Sequence, residues 1–241
     1  MTLGISELWV SLSALPLLWV MVTLLAYQMA SGIHRSSGRH PLANPVLISV
    51  TLVIGVLQLT DTPYQTYFDG VQWLHVLLGP ATVALAVPLY AQIERLQTML
   101  WPLMLTLLVG SVTAVGSAVA IGWACGAATD ILLALAPKSV TMPIAMSLTA
   151  QMGGLASLTA LTVTLTGISG ALMARGLLQL MRIDDAAVHG FALGLTAHAI
   201  GTASALQVSA SAGAFAALGM GLNGVATALL LPLMLQLAGS R

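Results

Sequence analysis

Long stretches of this chain pass without a single charge. From Leu96 to Thr129, and again from Ala186 to Ser240, there is no Asp, Glu, Lys or Arg. Soluble domains devote roughly 25% of their residues to charge, which solvates their surface. Here the share is 6%, against 58% hydrophobic residues and a mean hydropathy of +0.98. Such a chain cannot present a water-facing surface, and the architecture open to it is a bundle of helices that satisfy their own backbones in lipid. The expected fold is therefore all-α, a polytopic transmembrane helix bundle.

The same scarcity excludes other classes. A net charge of zero with scattered basic residues lacks the positive footprint that nucleic acid requires. Cys125 is alone and no Cys/His cluster stands at ligand spacing, so no metal or other cofactor is expected. No ordered Ser/His/Asp set, Walker-type loop or Rossmann glycine motif is present, and the reading is not an enzyme.

Because a crossing helix needs about 20 apolar residues, the charges delimit the spans. Leu8 to Ala30 reads as a retained first span, since Glu7 precedes it and it is too long for a signal-peptide core. Ser31 to His40, with Arg35 and Arg39, reads as a cytoplasmic loop under the positive-inside rule. Pro45 to Thr60 forms a second span, entered at Asn44-Pro45 as a helix start. The segment with Asp61, Tyr64, Tyr67, Phe68, Asp69 and Trp73 reads as an outer aromatic belt. Leu74 to Ala91 and Leu96 to Ala124 follow as third and fourth spans, parted by Glu94-Arg95.

Two segments do not read as plain spans. Ala127 to Met152 holds two short apolar halves around Pro137 to Pro143, which no continuous helix accommodates. If this segment dips in and returns to the outer side as a re-entrant hairpin, Arg175 and Arg182 beyond the next span, Leu155 to Ala174, fall inside with Arg95. Ala186 to Leu206, rich in small residues around His198 to Ala203, reads as a second broken element of opposite approach. Gly213 to Leu237 closes the bundle, and no linker divides residues 1–241, which read as one membrane domain. Gly79-Pro80-Ala81-Thr82-Val83 resembles Ala136-Pro137-Lys138-Ser139-Val140, a hint of inverted repeats of the kind transporters use.

Lys138 is the anomaly. A lysine at bilayer depth costs several kcal/mol, about 2.5–3.5 on insertion scales, unless it meets a partner or a polar cavity. Pro137 and Pro143 interrupt the helix beside it, and Ser139 and Thr141 add hydroxyls, so the segment has the makings of an anion site. Against this stands a structural reading in which Lys138 snorkels or pairs with Asp130. His198, with Gly201 and Thr202 at a second break, is a candidate for proton coupling, and equally for a packing histidine bonded to a backbone carbonyl. Thr82, in the earlier proline stretch, completes the candidate substrate contacts.

The run Leu135-Ala136-Pro137-Lys138-Ser139-Val140-Thr141-Met142-Pro143-Ile144-Ala145-Met146 resembles the LrgB/CidB family of bacterial membrane proteins. The likeness continues in Asn44-Pro45-Val46-Leu47, in Tyr64 to Gly70, in Leu77 to Tyr90 and in His198-Ala199-Ile200-Gly201-Thr202-Ala203, covering nearly the whole chain. The family is labelled holin-like or antiholin-like, and the plastid glycolate/glycerate translocator is related to it. The resemblance implies a multi-pass protein of the bacterial inner membrane that moves small monocarboxylates such as glycolate, glycerate or pyruvate. It equally implies an alternative, a regulator of membrane permeability, murein hydrolase export and lysis. A small LrgA/CidA-type membrane partner and a homo-oligomer belong to the same expectation. One departure stands out: where the family commonly carries acidic residues before its Gly-Ala-Phe segment, this chain has Gln207 and Ala212. A coupling role for those acids would here have to rest elsewhere, with His198 the candidate.

Overall fold

The computed structural model describes residue 9 and residues 12–38, 43–84 and 86–239, and for 75, 78, 82 and 235–239 the backbone only. The described residues are helical throughout, without a strand. They divide into two compact units, residues 1–84 and 85–241.

In the first unit, α1 spans Pro16–Ser36, α2 Pro45–Leu59, α3 Tyr64–Gly70 and α4 Gln72–Ala84. Helix α1 starts at a proline, whose missing N–H costs nothing in the first turn. It runs six residues past the expected end at Ala30, because Ser31 to Ser36 satisfy themselves along the helix. Arg35 Nε donates to the Ser31 carbonyl at 3.3 Å and Ser36 Oγ to that of Ile33 at 3.0 Å. The helix stops before Gly38, whose φ of +65° suits glycine. The expected Ser31 to His40 loop is thus half helix, and Arg39 and His40 lie outside the described residues. Asn44 caps α2, its Oδ1 accepting from Val46 N at 2.9 Å and Leu47 N at 3.3 Å, as the sequence indicated. Trp19 is the centre of this unit, fully buried with Val53, Leu57 and Val71 and edge-on to Tyr67 at 5.8 Å. Gly70 leaves the indole its room. Helix α4 continues through Pro80, so Gly79 to Val83 does not share the broken conformation of the stretch it resembles.

The second unit comprises α5 Ala86–Tyr90, α6 Ile93–Thr98, α7 Leu100–Ala124, α8 Thr129–Leu135, α9 Met142–Gln151, α10 Ala156–Leu180, α11 Ala186–Val208 and α12 Ala210–Gly239. Helices α7, α10 and α12 are each long and apolar enough to cross a bilayer. The expected fourth span is interrupted at Met99, which separates α6 from α7.

Helices α8 and α9 form a hairpin that returns to its starting side. A Cβ placed on Gly154, just beyond α9, would lie 2.9 Å from Leu133 Cβ and 3.3 Å from the Asp130 carbonyl oxygen, at the start of α8. The tip of this hairpin is Ala136 to Thr141. Helix α11 has the length of a span but doubles back at His198, whose φ of 43° and ψ of −131° leave the helical region. A Cβ on Gly201 would sit 2.5 Å from the Leu193 carbonyl oxygen. Eight residues of straight helix would hold the two about 12 Å apart.

The two hairpins approach from opposite ends. Along α10, Thr159 donates to Thr149 of the first hairpin at 2.9 Å, Val163 packs on Val140, and Gly167 and Gly170 receive His198 and Ala197 of the second. Along α12 the order is reversed: Ala212 and Ala216 meet Gly190 and Gly194, Gly224 meets Ile144, and Leu231 meets Ala136. The tips therefore meet at the middle of both spans. Residues 129–180 and residues 186–239 each comprise a hairpin followed by a long helix.

Candidate functional site

The break that holds Lys138 has a covalent cause. Pro143 has no N–H, so the Ser139 carbonyl loses the donor that a continuing helix would supply. Lys138 N still closes a last turn on the Leu135 carbonyl at 3.2 Å, and Val140 N one on Pro137 at 3.2 Å, before Thr141 (φ −63°, ψ 146°) opens α9. The Lys138 ammonium donates to Ser139 Oγ at 3.3 Å. Among the described residues the one ion pair is Arg95 with Asp185, so Lys138 is not matched to Asp130, whose carboxylate instead accepts from Ile131 N at 2.9 Å.

Lys138 and Ser139 line a cavity of about 570 Å³. Gly110, Thr113 and Ala114 of α7 form a second wall, and Ala192, Leu193, Leu195 and Thr196 of α11 a third. The fourth is one face of α10: Thr166, Ser169, Gly170, Met173, Leu177 and Met181 follow one another at helical spacing. That stripe covers about 22 Å at 1.5 Å per residue and runs from the hairpin tips to the end of α10 next to Arg182. No lining residue is acidic, and Lys138 is the lone charge among them.

Behind the walls, two buried polar side chains tie the elements together. Asn223 of α12 gives one Nδ2 hydrogen to the Ser139 carbonyl at 3.1 Å and the other to the Leu195 carbonyl at 2.9 Å. Its Oδ1 accepts from Ser111 Oγ of α7 at 2.7 Å and Thr227 Oγ1 at 3.4 Å. Leu195 lies in the last turn before the break at His198, where a helix runs out of following amides. Both hairpins thus expose a carbonyl to one amide. His198 Nε2 donates to the Val163 carbonyl at 3.0 Å, and Thr202 Oγ1 to the His198 carbonyl at 2.9 Å.

The residues singled out from sequence separate accordingly. Lys138 and Ser139 face the cavity. Pro137 is fully buried behind them and Thr141 begins α9, neither on the cavity wall. His198, Gly201 and Thr202 build the second turn rather than line the cavity, with His198 in the carbonyl-bonded arrangement. The Thr82 side chain lies outside the described residues. Ala212 is fully buried against Gly190 at the base of the second hairpin, so the position of one missing family acid is remote from the tips. Asn223 was missed. Its only sequence signal is an amide in an otherwise apolar span, together with a proline four residues after Ser139.

At the base of the second hairpin, Asp185 caps α11, accepting from Ala187 N at 2.8 Å and Val188 N at 3.2 Å while pairing with Arg95. Desolvation raises its pKa, but the two amides and the Arg95 guanidinium outweigh that and hold the carboxyl below its ordinary value. Arg95 also lies 5.9 Å from the ring centre of Phe215.

These features define a multi-pass helical membrane protein with two hairpins, at whose tips Lys138 has no ion-pair partner among the described residues. The chain belongs to the LrgB-like family, which it matches over residues 23–237. It is 34% identical over 197 residues to the uncharacterized protein YxaC of Bacillus subtilis, covering 82% of this chain and 86% of YxaC. To YwbG of the same organism it is 32% identical over 215 residues, 89% of this chain and 95% of that one. To the holin-like protein CidB of Staphylococcus aureus the identity is 28% over 221 residues, 92% and 96% of the two chains. No solved structure matches.

Proposed function

We propose that this protein is a secondary transporter of small monocarboxylates, such as glycolate, glycerate or pyruvate, in the bacterial inner membrane. The observation that carries the reading is the Lys138 ammonium, without an ion-pair partner among the described residues, on the wall of a cavity without acidic residues, at the meeting point of two hairpins. An intramembrane cation is costly alone and is relieved by a bound anion. Carboxylate on Lys138 makes the site neutral, so the loaded protein moves its site through the low-dielectric interior more readily than the empty one. Ser139 Oγ, already 3.3 Å from the ammonium, is placed to join it on a carboxylate.

In proteoliposomes, Lys138→Ala is expected to abolish saturable carboxylate flux while the protein still inserts and purifies. Full flux in that variant overturns the reading.

The likeness to the holin-like protein CidB favours a second reading, a regulator of membrane permeability and lysis acting with a small LrgA/CidA-type partner or as a homo-oligomer. Under it, liposomes holding the protein leak ions without saturation or competition by carboxylates, and Lys138→Ala leaves the leak unchanged.

A further inference from the structure

We infer that Asn223 is the positioning residue of the Lys138 site, a single side-chain amide that holds both hairpin tips and thereby fixes where the ammonium stands; this rests on the transport reading above. Both acceptors of its Nδ2 hydrogens belong to cavity-lining residues, Ser139 beside Lys138 and Leu195 on the opposite hairpin. Neither acceptor is a chance neighbour. Ser139 has its carbonyl free because residue 143 is a proline, and Leu195 lies in the last turn before the reversal at His198.

The other side of the amide is equally committed. Its Oδ1 takes a hydrogen from Ser111, one residue from cavity-lining Gly110 on α7. Three of the four cavity walls are therefore joined through one group that is 1% exposed and has no capacity left over. A planar amide presents two donors at a fixed angle, so moving either tip breaks a bond made by a side chain buried from solvent. A hydrophobic residue of similar size would fill the volume and hold neither tip. Asp would keep the shape and turn both donors into acceptors facing carbonyl oxygens.

The experiment uses the full chain in the Cys125→Ser background, Cys125 being the only cysteine. Spin labels on Met142→Cys and Ala199→Cys report the distance between the hairpins, and unlabelled protein in proteoliposomes gives carboxylate KM and maximal flux per folded molecule. With Asn223 intact the distance distribution is narrow. Asn223→Ala and Asn223→Asp are expected to broaden it and to raise KM at least tenfold. Gly176→Ala on α10, which touches neither the cavity lining nor the Asn223 network, is expected to keep KM within threefold of the parent.

A merely structural role predicts otherwise: less folded protein, with parental KM and distance distribution in the fraction that folds. That result in Asn223→Ala, or in the isosteric Asn223→Asp should the alanine variant aggregate, overturns the inference. The two readings fail separately. Absence of carboxylate flux in the parent removes the transport reading, and the distance measurement still decides whether Asn223 holds the tips.

Discussion

At the scale of single residues, close approach of the tips is enforced by what is missing. Gly167 of α10 lies under the His198 ring: a Cβ there would fall 2.7 Å from Cε1 and 2.8 Å from Ile200 Cδ1. Gly167→Ala therefore overpacks a site already closed by the His198 to Val163 hydrogen bond, at a cost of about 1–3 kcal/mol. Gly176, on the same helix, has nothing within 4 Å of where its Cβ would stand. Gly176→Ala there removes only backbone freedom and is expected to stabilise by about 0.5–1 kcal/mol. Thermal unfolding in detergent should thus move in opposite directions for two identical substitutions nine residues apart. The contrast also marks what sequence reading can reach. Lys138, Pro137 and Pro143 announced a break by their chemistry. Nothing in the identity of Gly167 or Asn223 says which ring or carbonyl it meets, because that is decided by elements distant in the chain.

At the scale of elements, both hairpins were legible, one from its prolines and the other from a run of small residues around His198. The end of α1 was not, because Ser and Arg read as loop-forming until they bond back along their own helix. That residues 129–180 and 186–239 each comprise a hairpin followed by a long helix was hidden for another reason: it is carried by backbone conformation, with a proline break in one and a positive φ in the other. The base of the second hairpin supplies a pH test. The Asp185 carboxyl is held below its ordinary value, so its contribution is present above the unfolded pKa, about 3.9, and is lost as pH falls through the lower folded one. Stability in detergent should decline in that acid window. The effect is modest, since the Arg95 and Asp185 side chains are 38% and 42% exposed. Asp185→Asn keeps a capping side chain and is expected to flatten that part of the profile.

For the second unit as a whole, the cavity lining runs along α10 as far as Met181, while Val140, Ala145 and Val163 are buried together near the tips. Under the transport reading proposed above, this cavity is one end of an alternating-access cycle, on the side where Arg95, Arg175 and Arg182 lie, which positive-inside logic assigns to the cytoplasm. In the Cys125→Ser background, Ser169→Cys and Met181→Cys should react with a membrane-impermeant maleimide from the cytoplasmic face, and Val163→Cys from neither. Labelling of Ser169→Cys from the outside alone would reverse the orientation. That orientation has a thin basis. A bundle in which only 6% of residues are charged offers few cues to which way it enters a bilayer. The guanidiniums gathered at one end carry most of the information about which way up it settles. Transplanting them to the opposite loops, near Cys125 and Gly153, should yield molecules inserted upside down.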